Sequence, residues 1–239
     1  MDGLLPGDTP VSVFGGFSTS RFSIADRGSE VAAQSFHLGA SGGREINGFR
    51  VKGGIAGSLA GITVDRTASF TGFSDTDTAS YMETTGQLFA ELSYAIVAEG
   101  TTLEPFGRLA LIGVSGGRYD ETGGSAALSG HSDAYGLALA TLGLAASTDF
   151  ALADDLTIHA RGRIGLQQGF GGAPTATNQL AGGDSFTVAG TPSAGTTLLI
   201  EADLSASLTP ATDLSVGYSG AIGTKGSSGA MKATLSGKF

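Results

Sequence analysis

The sequence predicts an all-β fold, an antiparallel up-and-down transmembrane β-barrel of about ten strands. Three observations carry that expectation. Apolar and polar residues alternate with a period of two over stretches long enough to cross a bilayer, glycine is abundant while charge is sparse, and the connections divide into a short set and a long set. Forty of the 239 residues are glycine and only 15% are charged, where ordinary soluble domains hold about 7% and about 25%. Glycine spread through nearly every segment, with no long stretches of helix formers, argues against helical bundles.

Ten strands are expected, at 11–24, 31–42, 48–64, 85–97, 103–115, 133–147, 155–169, 196–208, 213–222 and 231–239. The pattern is plainest where one side is polar. In the fourth strand Leu88, Ala90, Leu92, Tyr94 and Ile96 alternate with Gln87, Phe89, Glu91 and Ser93. In the seventh Leu156, Ile158, Ala160, Gly162, Ile164 and Leu166 alternate with Thr157, His159, Arg161, Arg163 and Gln167. The eighth sets Leu198, Ile200, Ala202, Leu204, Ala206 and Leu208 against Leu199, Glu201, Asp203, Ser205 and Ser207, and the tenth sets Met231, Ala233, Leu235, Gly237 and Phe239 against Lys232, Thr234, Ser236 and Lys238. Most of these stretches reach the ~9–11 residues that a tilted strand needs to span a bilayer. The connections 43–47, 98–102, 148–154 and 209–212 are short. Those at 65–84, 116–132 and 170–195 are expected to be long loops, rich in Gly, Ser, Thr and Asp. Short turns on one rim and long loops on the other characterise outer-membrane barrels.

Desolvation decides which face meets lipid. Arg161, Arg163, Glu201 and Asp203 cannot all sit in hydrocarbon, where each charge costs several kcal/mol near the midplane. The polar faces are therefore expected to line a wet interior through Arg50, Lys52, Glu91, Glu104, Arg108, His159, Arg161, Arg163, Glu201 and Asp203. Leu156, Ile158, Ile164, Leu198, Ile200, Leu204, Leu214, Val216 and Tyr218 are expected to point outward.

Composition also excludes. There is no cysteine, so disulfides, thiolate metal sites and cysteine nucleophiles are ruled out. A net charge of −9 argues against nucleic-acid binding. No run approaches 18 apolar residues, so no transmembrane helix is expected. Met1-Asp2-Gly3 is not the basic start of a signal peptide, and any export signal is expected upstream. No catalytic, cofactor or metal site is expected. Ser129, His131 and Asp133 are close in sequence but lack a nucleophile elbow. His37 and His159 fall on separate strands without a second histidine at ligand spacing. Asp75-Thr76-Asp77 lacks the remaining calcium positions, and Gly123-Gly124 and Gly182-Gly183 are not followed by the Lys-Ser or Lys-Thr of a phosphate loop.

The residues in order resemble the C-terminal β-barrel (translocator) domain of the autotransporter family. The stretches that carry the resemblance are Asp65-Arg66-Thr67, Phe70-Thr71-Gly72-Phe73-Ser74-Asp75, Gln87 to Tyr94, Leu103-Glu104-Pro105-Phe106, Thr122 to Gly130, Thr141-Leu142-Gly143-Leu144, Ala181 to Gly190, Tyr218-Ser219-Gly220 and the terminal Phe239. The resemblance covers nearly the whole chain from about residue 11. It implies a barrel of twelve strands with a helix through its lumen, joined to an upstream passenger, in the outer membrane of a Gram-negative bacterium. Residues 1–10 are then a lead and 11–239 the barrel domain, whose first strand matches the family's third, so that two strands and the lumenal helix are missing. The function implied is to anchor a covalently linked passenger and help export it to the cell surface, among outer-membrane lipid and without enzymatic activity. Phe239, with Leu235 and Met231 on the same face of the last strand, resembles the signal read by the outer-membrane barrel assembly machinery. Two other functional readings stay open: a small barrel whose long extracellular loops act as an adhesin, or one whose loops carry a hydrolase site at Asp75, Asp77, Asp120, Glu121 and His131. A soluble β-sandwich, with its apolar face turned inward, is the structural alternative.

Overall fold

A computed structural model describes residues 2–5, 9–24, 28–153, 156–192, 195–209, 211–224 and 226–237. Ten long strands build one wall: β2 (Thr9–Ile24), β3 (Ser29–Ile46), β4 (Phe49–Phe70), β5 (Phe73–Tyr94), β7 (Thr101–Val114), β10 (Tyr135–Ala153), β11 (Leu156–Gly171), β14 (Gly195–Thr209), β15 (Thr212–Gly223) and β16 (Gly226–Gly237). Each corresponds to one of the ten strands expected. They pair antiparallel in that order. Two short pieces complete the wall: β1 (Asp2–Leu5) on the outer edge of β2, and β6 (Ile96–Ala98) beside β7. The result is a curled half-barrel of antiparallel strands.

On the short-turn rim, β3 passes to β4 through Asn47 and Gly48, with φ of 53° and 81°. β6 passes to β7 through Glu99 and Gly100, with φ of 48° and 80°. Two consecutive residues with positive φ make the type I′ turn, whose twist matches that of the strands it joins.

The opposite rim differs from expectation. The segments 65–84, 116–132 and 170–195 are largely strand rather than loop. β4 and β5 run on as one hairpin up to the pair Phe70↔Phe73, with no break in register. The other two segments hold β8 (Gly117–Asp120), β9 (Leu128–Ser132), β12 (Thr175–Leu180) and β13 (Ser185–Ala189), a four-stranded sheet in the order β13-β12-β9-β8. Its ladders continue those below. Leu137↔Gly171 of β10 and β11 leads to Ser132↔Ala176 of β9 and β12, five residues back on one strand and five forward on the other. Gly169↔Gly195 leads in the same way to Thr175↔Ala189, and Val114↔Tyr135 to Gly117↔Ser132. The small sheet is therefore an upward prolongation of the wall.

Candidate functional site: a two-faced wall and its outer rim

Period-two alternation sorts the wall into two faces. Cross-strand pairing places Lys52, Glu91, Arg108, Thr141, Gln167 and Thr197 in one row, and Ser147, Arg161, Asp203, Gly217 and Lys232 in another, all on the same face. The opposite face carries Phe17, Phe36, Ile55, Leu88, Leu109, Leu142, Leu166, Leu204, Val216, Tyr218, Met231 and Leu235, all exposed. Leu142 is 74% exposed and Leu235 70%. An apolar band continuous over ten strands far exceeds the few hundred Å² that a soluble monomer leaves uncovered. The soluble sandwich is excluded on this ground: its apolar face would be packed, and here it is open.

The charged face is the concave one. Arg163 Nη2 on β11 donates to Glu91 Oε2 on β5 at 2.8 Å. β10 and β7 lie between them, so the strands stand three spacings apart, about 14 Å in a flat sheet. Register adds a lengthwise offset, since Glu91 shares its row with Gln167, four residues or about 13 Å along β11 from Arg163, and side chains stand roughly perpendicular to a flat sheet. The pair can form only where the sheet curls toward it. Glu104 on β7 receives Arg161 Nη2 from β11 at 3.1 Å and is also paired with Arg50 of β4. Glu104 and Glu91 are only 4% and 7% exposed. Arg163 also reaches Glu201, at 3.6 Å, and Arg50 reaches Glu45, at 3.4 Å.

Aromatic rings support these cations. Arg163 stacks over Phe106 at 4.1 Å and Arg108 over Phe89 at 4.6 Å. The Phe106 ring reaches over Gly143, where a β-carbon would collide with it and with the Ile164 carbonyl. His159 pairs with Asp149 on β10, and His37 Nε2 is 2.8 Å from Ser18 Oγ. Lys52 and Asp203 occupy the same face by register, opposite Glu91 and Arg161 respectively. Met231 and Leu235 are on the outer face of β16, opposite Tyr218 and Leu214 of β15. Phe239 lies outside the described residues.

The outer rim holds a second polar cluster, in segments expected to be loop. Arg66 and Asp77 oppose each other on β4 and β5. The Arg66 guanidinium donates from Nη2 to Asp77 Oδ2 at 3.0 Å, from Nε to Glu121 Oε1 at 3.0 Å, and from Nη2 to Glu121 Oε2 at 2.6 Å and the Ala126 carbonyl at 2.7 Å. Asp77 is fully buried. Backbone amides close the cluster: Gly124 N–H donates to Asp77 Oδ1 at 3.0 Å, Ala126 N–H to Asp75 Oδ2 at 2.9 Å, and Leu128 N–H to Glu121 Oε2 at 2.8 Å. Burial alone pushes the Glu121 carboxyl up. The hydrogen bond from Arg66, that from the Leu128 amide and the Arg66 charge outweigh it and hold the group below the usual carboxylate range. Arg66 is raised in turn, first by its hydrogen bond to Glu121. The signal that could have found this cluster was Asp65-Arg66-Thr67 beside Asp75-Thr76-Asp77, an alternating cationic and anionic hairpin.

The hydrolase candidates are not assembled as a catalytic set. Asp75, Asp77 and Glu121 are committed to Arg66 and to backbone amides, while Asp120 is exposed. His131 Nε2 is 3.8 Å from Asp133 Oδ1, and Asp133 Oδ2 accepts from Thr175 Oγ1 at 2.6 Å. Ser129 is paired through its backbone with Gln179 and Asp120.

The chain matches the family model described as the autotransporter β-domain over residues 1–219. Two curated relatives from Serratia marcescens, each named extracellular serine protease, are 27% identical over 239 residues. That alignment takes in 99% of this chain but 22% of each relative, so the chain spans about a fifth of the relatives' length. Among solved structures, the translocator domain of the autotransporter NalP from Neisseria meningitidis superposes with a TM-score of 0.77 at 16% identity, over 100% of this chain and 78% of that one. The β-domain of the Bordetella autotransporter BrkA gives 0.69 at 15% identity, over 100% and 87%. Both are likenesses of fold.

Proposed function

The chain belongs to the autotransporter β-domain family, and from that premise we propose that it anchors a covalently linked upstream passenger in the outer membrane of a Gram-negative bacterium and helps export it to the cell surface. The observation that carries this reading is the two-faced wall: an open apolar band on the convex side and a satisfied ladder of ion pairs on the concave side. Such a wall shields a polar path from lipid, and its antiparallel ladders pair the backbone groups between neighbouring strands, as hydrocarbon requires. Arg50, Lys52, Glu91, Glu104, Arg108, His159, Arg161, Arg163, Glu201 and Asp203 would line that path. The role is spatial, and we assign the chain no catalysis. The name of the Serratia relatives describes proteins of which this chain matches only a fifth.

Residues 11–239 supply strands three to twelve of the family barrel on this reading, and β1 marks where the preceding strand joins. Met231, Leu235 and Phe239 would be read by the barrel assembly machinery. The test is protease accessibility of the upstream segment on intact cells making the full-length protein. Surface cleavage should require residues 11–239, and an upstream segment that reaches the surface equally well without them would overturn the proposal.

A further inference from the structure

The rim cluster does something the wall below does not need. The wall is held by ladder hydrogen bonds, whereas the segment 121–127, between β8 and β9, is laid back against the concave side of the β4–β5 hairpin. It is joined to β5 by an isolated bridge of two backbone hydrogen bonds between Thr78 and Thr122, at 2.9 and 2.8 Å, and by polar bonds to Asp75 and Asp77, and to β4 by Arg66. Gly123 and Gly124 permit the approach: a β-carbon on either would collide with the Asp77 or Asp75 carboxylate. Fully buried Asp77 and the nearly buried Glu121 converge on one guanidinium. Removing that cation leaves two carboxylates facing each other without a counter-charge, which drives residues 123–127 off the hairpin about the anchoring Thr122 bridge.

We propose that the segment 121–127 is a flap at the outer mouth of the barrel, latched onto the hairpin by Arg66, and that it narrows the mouth when latched and widens it when released. The proposal rests on the lumen reading above for its second half only. The groups facing the latch are Arg66 from β4, Asp75 and Asp77 from β5 with Tyr81 and Glu83 farther down, Tyr119 from β8 and Glu121 from the flap itself; Asp65 is engaged by Thr78 Oγ1 at 2.6 Å. Since Glu121 titrates below its ordinary value, its contribution is fully present above the usual carboxylate range and is lost as pH falls through the lowered value. The latch is thus shut at neutral pH and opens in acid.

The experiment uses the full chain in lipid and reads two quantities. Hydrogen exchange at the Gly124 and Ala126 amides, corrected for intrinsic rate, should be slow at pH 7 and roughly tenfold faster in Arg66→Met, in Glu121→Gln and once the pH has fallen through the titration of Glu121. Arg118→Met, an exposed change on β8, should leave it unchanged. Arg66→Lys keeps the charge but not the fork and should fall between. Single-channel conductance in planar bilayers should rise roughly 1.2-fold in the same variants. Unchanged exchange in Arg66→Met and at low pH would overturn the latch. Freed amides with wild-type conductance would overturn the flap's effect on the mouth. Freed amides in a protein that conducts in no variant would count against the lumen reading and leave the latch standing.

Discussion

Glu104 shows how a residue on this wall acts through several strands at once. It joins Arg50 of β4 and Arg161 of β11, from either side of its own strand, and is itself buried. Replacing it by Gln leaves two arginines crowded on the concave side without their shared anion. The expected loss is about 1–3 kcal/mol, below the value for a fully buried pair because both arginines are more than a third exposed. Thermal melting and heat-modifiable gel migration would measure it, and a melting temperature equal to wild type would remove Glu104 from the framework. Lys52→Met is the contrasting change. No ion pair joins Lys52 to Glu91, which Arg163 takes instead, so little loss is expected.

At the scale of elements, the ten long strands were legible because each wears its two faces in the sequence: Arg161 and Arg163 among Ile158, Ile164 and Leu166 admit only one period. The rim strands were not. β12 and β13 are five or six residues long, stand between glycines, and have polar residues on both sides, as in Thr175-Ala176-Thr177-Asn178-Gln179. Nothing there contrasts lipid with water, so nothing marks a period; the strands exist because the ladders beneath them continue upward. The same absence hid Arg66, since pairing it with Glu121, 55 residues later, requires knowing that β8 lies along β5. The β12–β13 ladder itself yields a test. Gly190 N–H donates to the Pro174 carbonyl at 2.8 Å, so by alternation the N–H groups of Phe186 and Val188 face β12, and those of Ser185, Thr187 and Ala189 face away. Phe186→Pro should therefore open the hairpin and speed proteolysis within residues 180–190 roughly tenfold, while Thr187→Pro should be tolerated. Equal cleavage of the two variants would show that the register is wrong.

For the molecule as a whole, the open apolar band makes the membrane a structural partner. A charge placed on that band near its middle should cost about 2–4 kcal/mol, whereas one on the concave side should cost far less. Leu142→Arg against Ser215→Arg compares the two faces, with the folded fraction in lipid vesicles as readout; equal folding would remove the assignment of faces. The last strand carries the other prediction. Phe239→Ala should cut insertion of the full-length protein into the outer membrane much more than it lowers the stability of barrels already inserted, because burial of one side chain contributes only about 1.5–3 kcal/mol. Equal insertion would end its role as an assembly signal. The upright rim has one further effect. β13 ends its sheet with an uncharged run, Ser185-Phe186-Thr187-Val188-Ala189, every residue exposed, and without the lysines, prolines or bulges that usually blunt such an edge. In a freely tumbling protein that strand would invite an identical one to dock antiparallel. Two neighbours in one bilayer cannot do so, because both hold β13 pointing the same way and the two-fold axis for antiparallel docking would turn one of them upside down. Fixed orientation in the membrane thus quarantines an adhesive edge that the sequence leaves undefended.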